Sequence, residues 1–217
     1  MEHDEFFLDI TKGKNVIIVG PSPILLGTGK GEEIDSYDLV IRTNNMINSL
    51  ILNPELGKDY GKRTDILYVN SAYFRYIENW KTQEWISRGL QMLCTKAVRR
   101  FPEFPIPLRN FTPKSNNKIF TKSPLLGVFI VDDLLKTLCK SITLEGIDGY
   151  ASMNLEQKEP TEYLPDYYIF QKEPEKRHHH SIWRESLYFL NLEKKGKIIL
   201  EDHVKKSLEK SIIMYKD

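Results

Sequence analysis

Residues 15–20 read NVIIVG, an unbroken apolar run between a lysine and a glycine. A strand with one wet face alternates polar and apolar side chains. This run does not, so it predicts a strand covered on both faces, the environment of a mostly parallel, helix-covered sheet. Residues 38–44 (DLVIRTN), 65–70 (DILYVN), 91–95 (QMLCT) and 141–145 (SITLE) predict further strands, and KIILED at 197–202 a last one. Helical periodicity fills the intervals. Tyr73, Ile77, Trp80, Trp85 and Ile86 mark one helix. Ser123 as N-cap and Pro124 at the first position open another, with Leu126, Ile130, Leu134 and Leu138 as a buried stripe. A third spans 181–195, with Trp183, Leu187 and Leu190 as its apolar face and Gly196 as its stop, and residues 204–213 form a lysine-rich fourth. Strands alternating with helices specify an α/β fold, and with no internal boundary residues 1–217 read as a single domain. Residues 99–122, with four prolines, and 151–177 read as long loops of the kind that carry binding.

Composition narrows the function. With 31 basic and 30 acidic residues the formal charge is +1, which argues against a broad nucleic-acid footprint. Two cysteines, Cys94 and Cys139, make neither a disulfide scaffold nor a zinc cluster and point to a reducing, cytoplasmic setting. The acidic MEHDEFFLDITKGK start lacks a signal-peptide apolar run, and no segment reaches the ~18 apolar residues that cross a bilayer. The HHH run at 178–180 has no carboxylate or cysteine at ligand spacing, and its adjacent side chains diverge, so no metal site is expected.

In an open α/β sheet, ligands settle beyond the carboxyl ends of the strands. Here those ends fall at residues 20–22, 42–44, 70–71 and 146–150, rich in small and hydrogen-bonding side chains. The turn after the first strand is neither GxGxxG nor a P-loop, and Pro21 and Pro23 remove two backbone N–H groups from it. Taken alone, these turns are equally explained as strand ends that need Gly, Ser and Asn for backbone reasons. Arg42 reads as structural, with Asp35, Asp38 and Asp65 as ion-pair partners.

Four stretches then share one resemblance. IIVGPSPILLGTGKGEEIDSYDLVIRTNN with DYGKRTDILY resembles the large motif of the sialyltransferases, glycosyltransferase family 29. SPLLGVFIVDDLLKTLCKSITLEGID is similar to the small motif, DYYIFQ to the tyrosine-rich third, and HSIWRE to the HxxxxE fourth, in the family's order across residues 15–190. The resemblance implies a single Rossmann-like domain, a glycosyltransferase A-like variant. It also implies a metal-independent inverting transferase that needs no cofactor and takes a sialic acid, Kdo or related acidic sugar from its CMP ester to a glycan or other hydroxyl acceptor. By position, Gly20, Ser22 and Asn44 serve the nucleotide, Gly127 and its helix start the phosphate, with Tyr167 or Tyr168 beside it, and His180 is the general base.

Pro21 stands where the family keeps an Asn, and Leu126 where it keeps Ser or Thr, a loss Ser123 is placed to make good. Cys139 matches one partner of the family disulfide while Val16 holds the other position, which implies a bacterial or viral type of member without that bridge. Glu185 lies about 140° around an ideal helix from His180, so it is expected to act at the helix start or in structure. These departures leave a second reading, an inactive or repurposed nucleotide-binding module, and a third, a transferase with a different nucleotide-sugar donor.

Overall fold

The computed structural model describes residues 2–70, 82–95, 104–111, 120, 124–152 and 180–216. Helix α1 (Glu2–Thr11) leads into β1 (Asn15–Val19), followed by α2 (Gly31–Asp35), β2 (Leu39–Thr43), α3 (Met46–Leu52), α4 (Gly57–Tyr60) and β3 (Ile66–Val69). The chain continues through α5 (Thr82–Ser87), β4 (Met92–Thr95), β5 (Leu108–Asn110), α6 (Leu126–Leu134) and β6 (Ser141–Glu145). It closes with α7 (Ile182–Lys194), β7 (Ile199–Leu200) and α8 (Asp202–Tyr215). The strands form one sheet in the order β5-β4-β3-β2-β1-β6-β7, and all six pairings are parallel.

Register explains why the strands are apolar throughout. Val16, Leu39 and Ile142 align, as do Ile18, Ile41 and Leu144, so these side chains share one face with Ile66 and Met92. That face packs on Phe7, on the buried side of α6, and on Val204 and Leu208 of α8. Ile17, Val19 and Val40 point the other way, onto Leu25, Ile34, Met46 and Tyr60, while Leu67 and Leu93 on the same face pack against Ile47 and Trp85. Both faces are covered, as the β1 sequence requires.

Four details depart from the sequence expectation. Residues 2–11 form α1, which no sequence signal had marked, and it docks through Phe7. The proline-rich segment contains β5, an edge strand where prolines do least harm to a ladder. α6 begins at Leu126 with Leu125 as its cap residue, whereas Ser123 lies outside the described residues; the helix also ends at Leu134, leaving Leu138 74% exposed. α7 buries Ile182, Glu185, Ser186 and Phe189, a face rotated from the expected one, and Leu187 is exposed. The helix nevertheless stops at Gly196, where a φ of 64° lets the N–H groups of Gly196 and Lys197 reach the Glu193 and Leu192 carbonyls. For the helix marked by Tyr73–Ile86 spacing, the described part is α5; residues 71–81 lie outside the description.

Candidate active site

The chain reverses its direction of strand addition between β1 and β6, the position where an open α/β sheet leaves a crevice. Gly20 and Gly146 meet there at the strands' carboxyl ends. Gly20 N donates to Glu145 O at 2.8 Å and Ser22 N to Gly146 O at 3.0 Å. A Cβ on Gly20 would stand 2.3 Å from the Gly146 carbonyl oxygen, and one on Gly146, whose φ is +61°, 2.4 Å from Gly20 O. Only glycine at both positions permits this approach.

A cleft of about 110 Å³ opens over this contact, floored by Gly20, Pro21 and Gly146. Asn44 enters from the end of β2, Gly127 from the first turn of α6, Asp148 and Tyr150 from the turn after β6, and Glu185 from α7. Asn44 adopts a left-handed φ of 47°, and its Oδ1 accepts Asn70 N–H at 3.0 Å. That bond orients the side chain. At Gly127 a Cβ would meet ordinary contacts at 3.5 and 3.6 Å, so protein packing does not demand a glycine there.

Of the residues expected from sequence, Gly20, Asn44 and Gly127 line this cleft together. Ser22 sits just behind it, 1% exposed, with its Oγ accepting Ile24 N–H at 3.3 Å and its carbonyl accepting the Tyr60 hydroxyl at 2.7 Å. His180 is half-buried, one residue ahead of the Ser181 that caps α7. Ser123, Tyr167 and Tyr168 lie outside the described residues. Among the described residues no three His, Cys, Asp or Glu side chains gather as a metal site.

The glycine-rich loop that follows the first turn is already occupied. Gly27 N and Gly29 N each donate at 2.8 Å to the Asp59 carboxylate, one to each oxygen. Asp35 takes the N–H groups of Lys62 and Arg63 in the same manner. The acidic and glycine positions of the large motif thus tie its two halves to each other. Arg42 is fully buried and donates to Tyr60 O, Arg63 O and Thr64 Oγ1, while its Nη1 has no partner. Burial, partly offset by Asp35 and Asp65, pushes its guanidinium down to about 10. Its role is structural, as its sequence context indicates, although its direct bonds are to carbonyls and a hydroxyl.

Glu185 is the residue that sequence reasoning undervalued. Its Oε2 accepts Leu125 N–H at 3.1 Å, so it caps the start of α6, not of its own helix. Its Oε1 is buried without a hydrogen-bond partner, and the residue is 3% exposed. Burial holds its pKa well above the ordinary carboxylate value, against the lone Leu125 N–H that favours the anion. The magnitudes agree with that direction. Removing a carboxylate from water costs several kcal/mol, whereas a helix N-terminus returns about 0.3–1 kcal/mol and one charge-assisted bond about 1.5–3 kcal/mol. The signal was present in the sequence as the last residue of HSIWRE, but its partner lies 60 residues away. Gly146 and Asp148 were likewise visible only as a strand-end turn; Asp148 accepts the N–H groups of Tyr150 and Ser152 and shapes that turn.

Similarity to known proteins follows the same lines. Residues 9–101 match the family model for glycosyltransferase family 29 (sialyltransferase). Over 54 residues the chain is 43% identical to sialyltransferase-like protein 2 of Oryza sativa subsp. indica, a match covering 25% of this chain and only 12% of that protein. Two crystal structures of a mammalian sialyltransferase share its fold. One is the complex with Gal-beta-1-3GalNAc-ortho-nitrophenol, with a TM-score of 0.54, and the other has a TM-score of 0.56. Both are 17% identical over 87% of this chain and 69% of theirs. The match to the glycosyltransferase family 29 (sialyltransferase) model thus lies in residues 9–101, and along most of its length the chain is similar in fold to the sialyltransferase structures.

Proposed function

We propose that the protein is an inverting, sialyltransferase-like enzyme that moves a sialic acid, Kdo or related acidic sugar from its CMP ester to an acceptor hydroxyl. The observation that carries this reading is the cleft at the β1–β6 switch point, where Gly20, Asn44 and the first turn of α6 converge. A single phosphate needs few donors, so a turn shortened of N–H groups by Pro21 still suffices at the N-terminal end of a helix. The cleft takes the phosphate and adjoining atoms of the donor, its 110 Å³ being below the several hundred Å³ of a whole-ligand pocket. In the transfer step His180 accepts the proton of the acceptor hydroxyl, and the acceptor oxygen bonds to the anomeric carbon. The bond from that carbon to the CMP phosphate breaks, and CMP leaves with the electron pair. No metal is assigned a part in this scheme. Cys94 and Cys139 are free thiols, and among the described residues no helix is long and apolar enough to cross a membrane.

A second reading, a repurposed nucleotide-binding module or a transferase with another donor, draws on the cleft's charge. Among the described residues its lining holds two carboxyls, Asp148 and Glu185, and no cation. Calorimetric titration with CMP, UMP and GMP separates the readings. Preference for CMP, with binding retained and transfer lost in His180→Ala, is the expected result; no binding of any of the three nucleotides refutes both transferase readings.

A further inference from the structure

The cleft poses a conflict that the motifs do not reveal. The N-terminal end of α6, the natural seat for a phosphate, is already taken by a carboxyl group, since Glu185 Oε2 accepts Leu125 N–H. An ionised Glu185 would repel the anion the cleft is proposed to hold. Its second oxygen is buried without a partner, and the residue lines the cleft. A neutral carboxyl resolves both problems. Its carbonyl oxygen keeps the bond to Leu125, and its O–H has one unfilled need, an acceptor in the cleft.

We infer that Glu185 is a ligand-positioning acid: with Oε2 bound to the start of α6, Oε1 carries a proton and donates it as a hydrogen bond to a phosphate oxygen in the cleft, so that anion binding is linked to one proton. The inference rests on the cytidine-phosphate reading of the cleft. No bond is broken in this step; the proton stays on Glu185 while the ligand is bound. The surroundings contain few competing groups. From the turn after β6, Asp148 faces the cleft with its carboxylate engaged by Tyr150 N and Ser152 N, and Tyr150 stands beside it. From α6, Asp132 and Asp133 lie further along the helix, engaged by Tyr188 and Arg109. α8 contributes Leu208 and Ser211, which do not titrate in this range. On α7 itself Arg184 stacks on Trp183 at 4.7 Å, and His180 precedes the helix.

The decisive probe is cytidine 5′-(methyl phosphate), a diester whose phosphate does not titrate between about pH 5 and 9, where His and raised carboxyls do. Its binding to the full chain is measured by calorimetry across that range in buffers of different ionisation enthalpy. The wild type is expected to lose affinity with rising pH, up to about tenfold per unit, with up to one proton taken up per probe bound. Glu185→Gln keeps an acceptor for Leu125 and a donor for the phosphate, so it should bind with no such linkage from position 185. Equal pH dependence in both proteins overturns the inference and leaves the cytidine-phosphate reading standing, with His180 as the titrating group. Failure of the probe to bind wild type at any pH overturns both. An infrared measurement needs no ligand: a protonated-carboxyl C=O band in the wild type at neutral pH should vanish in Glu185→Gln, and its absence from the wild type overturns the inference whatever the variant does.

Discussion

Substituting Gly20 by Ala places a methyl group where β1 and β6 touch, and the geometry sets its cost. The added Cβ would lie 2.3 Å from Gly146 O and 2.8 Å from Ile147 Cγ1. Reaching an ordinary contact near 3.4 Å requires the two strand ends to part by about 1 Å. The bonds from Gly20 N to Glu145 O, at 2.8 Å, and from Ser22 N to Gly146 O, at 3.0 Å, span the same gap and would stretch beyond hydrogen-bonding range. Two lost backbone bonds at about 0.5–1.5 kcal/mol each, with about 1–3 kcal/mol of overpacking, predict a loss of about 2–6 kcal/mol. For a chain of this size that lowers the melting temperature by about 4–24 °C. Two companions separate collision from backbone strain. Gly13→Ala, with φ of 70° and nothing within 4 Å of its Cβ, should cost only the left-handed penalty of about 1–2 kcal/mol. Gly146→Ala combines that penalty with a 2.4 Å collision and should be the worst of the three. Urea unfolding curves give the comparison. If Gly20→Ala unfolds within about 0.5 kcal/mol of the wild type, the close contact of β1 and β6 is not as described.

Other substitutions probe the supports around the cleft. Removing the Asp59 carboxylate in Asp59→Ala strands the N–H groups of Gly27 and Gly29, with an expected loss of about 1–2 kcal/mol in urea unfolding, and Asp59→Asn should restore part of it. Arg42→Met should be better tolerated than Arg42→Ala, because Nη1 is already unpartnered and the alkyl volume is kept; Arg42→Ala should lose about 3 kcal/mol or more. Burial pushes the Cys94 thiol up to about 12 from its ordinary 9.0. Its contribution to stability is therefore complete below about pH 9 and falls by about 1.4 kcal/mol per unit as pH rises towards 12, a slope that should disappear from the stability curve of Cys94→Ala. A thiol reagent at pH 8 should likewise label half-buried Cys139 in the folded protein and reach Cys94 only on unfolding.

The sheet was legible because doubly covered strands leave a local mark: NVIIVG and SITLE are apolar whichever way a side chain points, and both became central neighbours. Helix faces were less legible. α7 buries Glu185 and Ser186, polar residues that a periodicity argument assigns to solvent, while Leu187 faces outward. α1 and β5 were missed since each depends on tertiary partners; α1, for instance, docks through Phe7, whose ring lies 4.0 Å from the Arg109 guanidinium. The site divides in the same manner. Gly20, Asn44 and Gly127 are marked by strand ends and a helix start, and the structure gathers them. Ser22 is equally visible in sequence, but the first need of its hydroxyl is the turn that follows it. Glu185 could be recognised as a motif residue, yet its meaning lies in an oxygen bonded across 60 residues and another bonded to nothing.

The most direct test of the account is to titrate isotopically labelled protein with CMP and follow the backbone amide resonances. Saturable shifts should concentrate at Gly20, Asn44, Gly127 and Gly146, at the carboxyl ends of β1, β2 and β6 and the start of α6. Asn15 and Ser141, at the opposite ends of β1 and β6, should remain still. Shifts clustered at Asn15 and Ser141, or none at any CMP concentration, would contradict the claim that the β1–β6 crevice is the donor site.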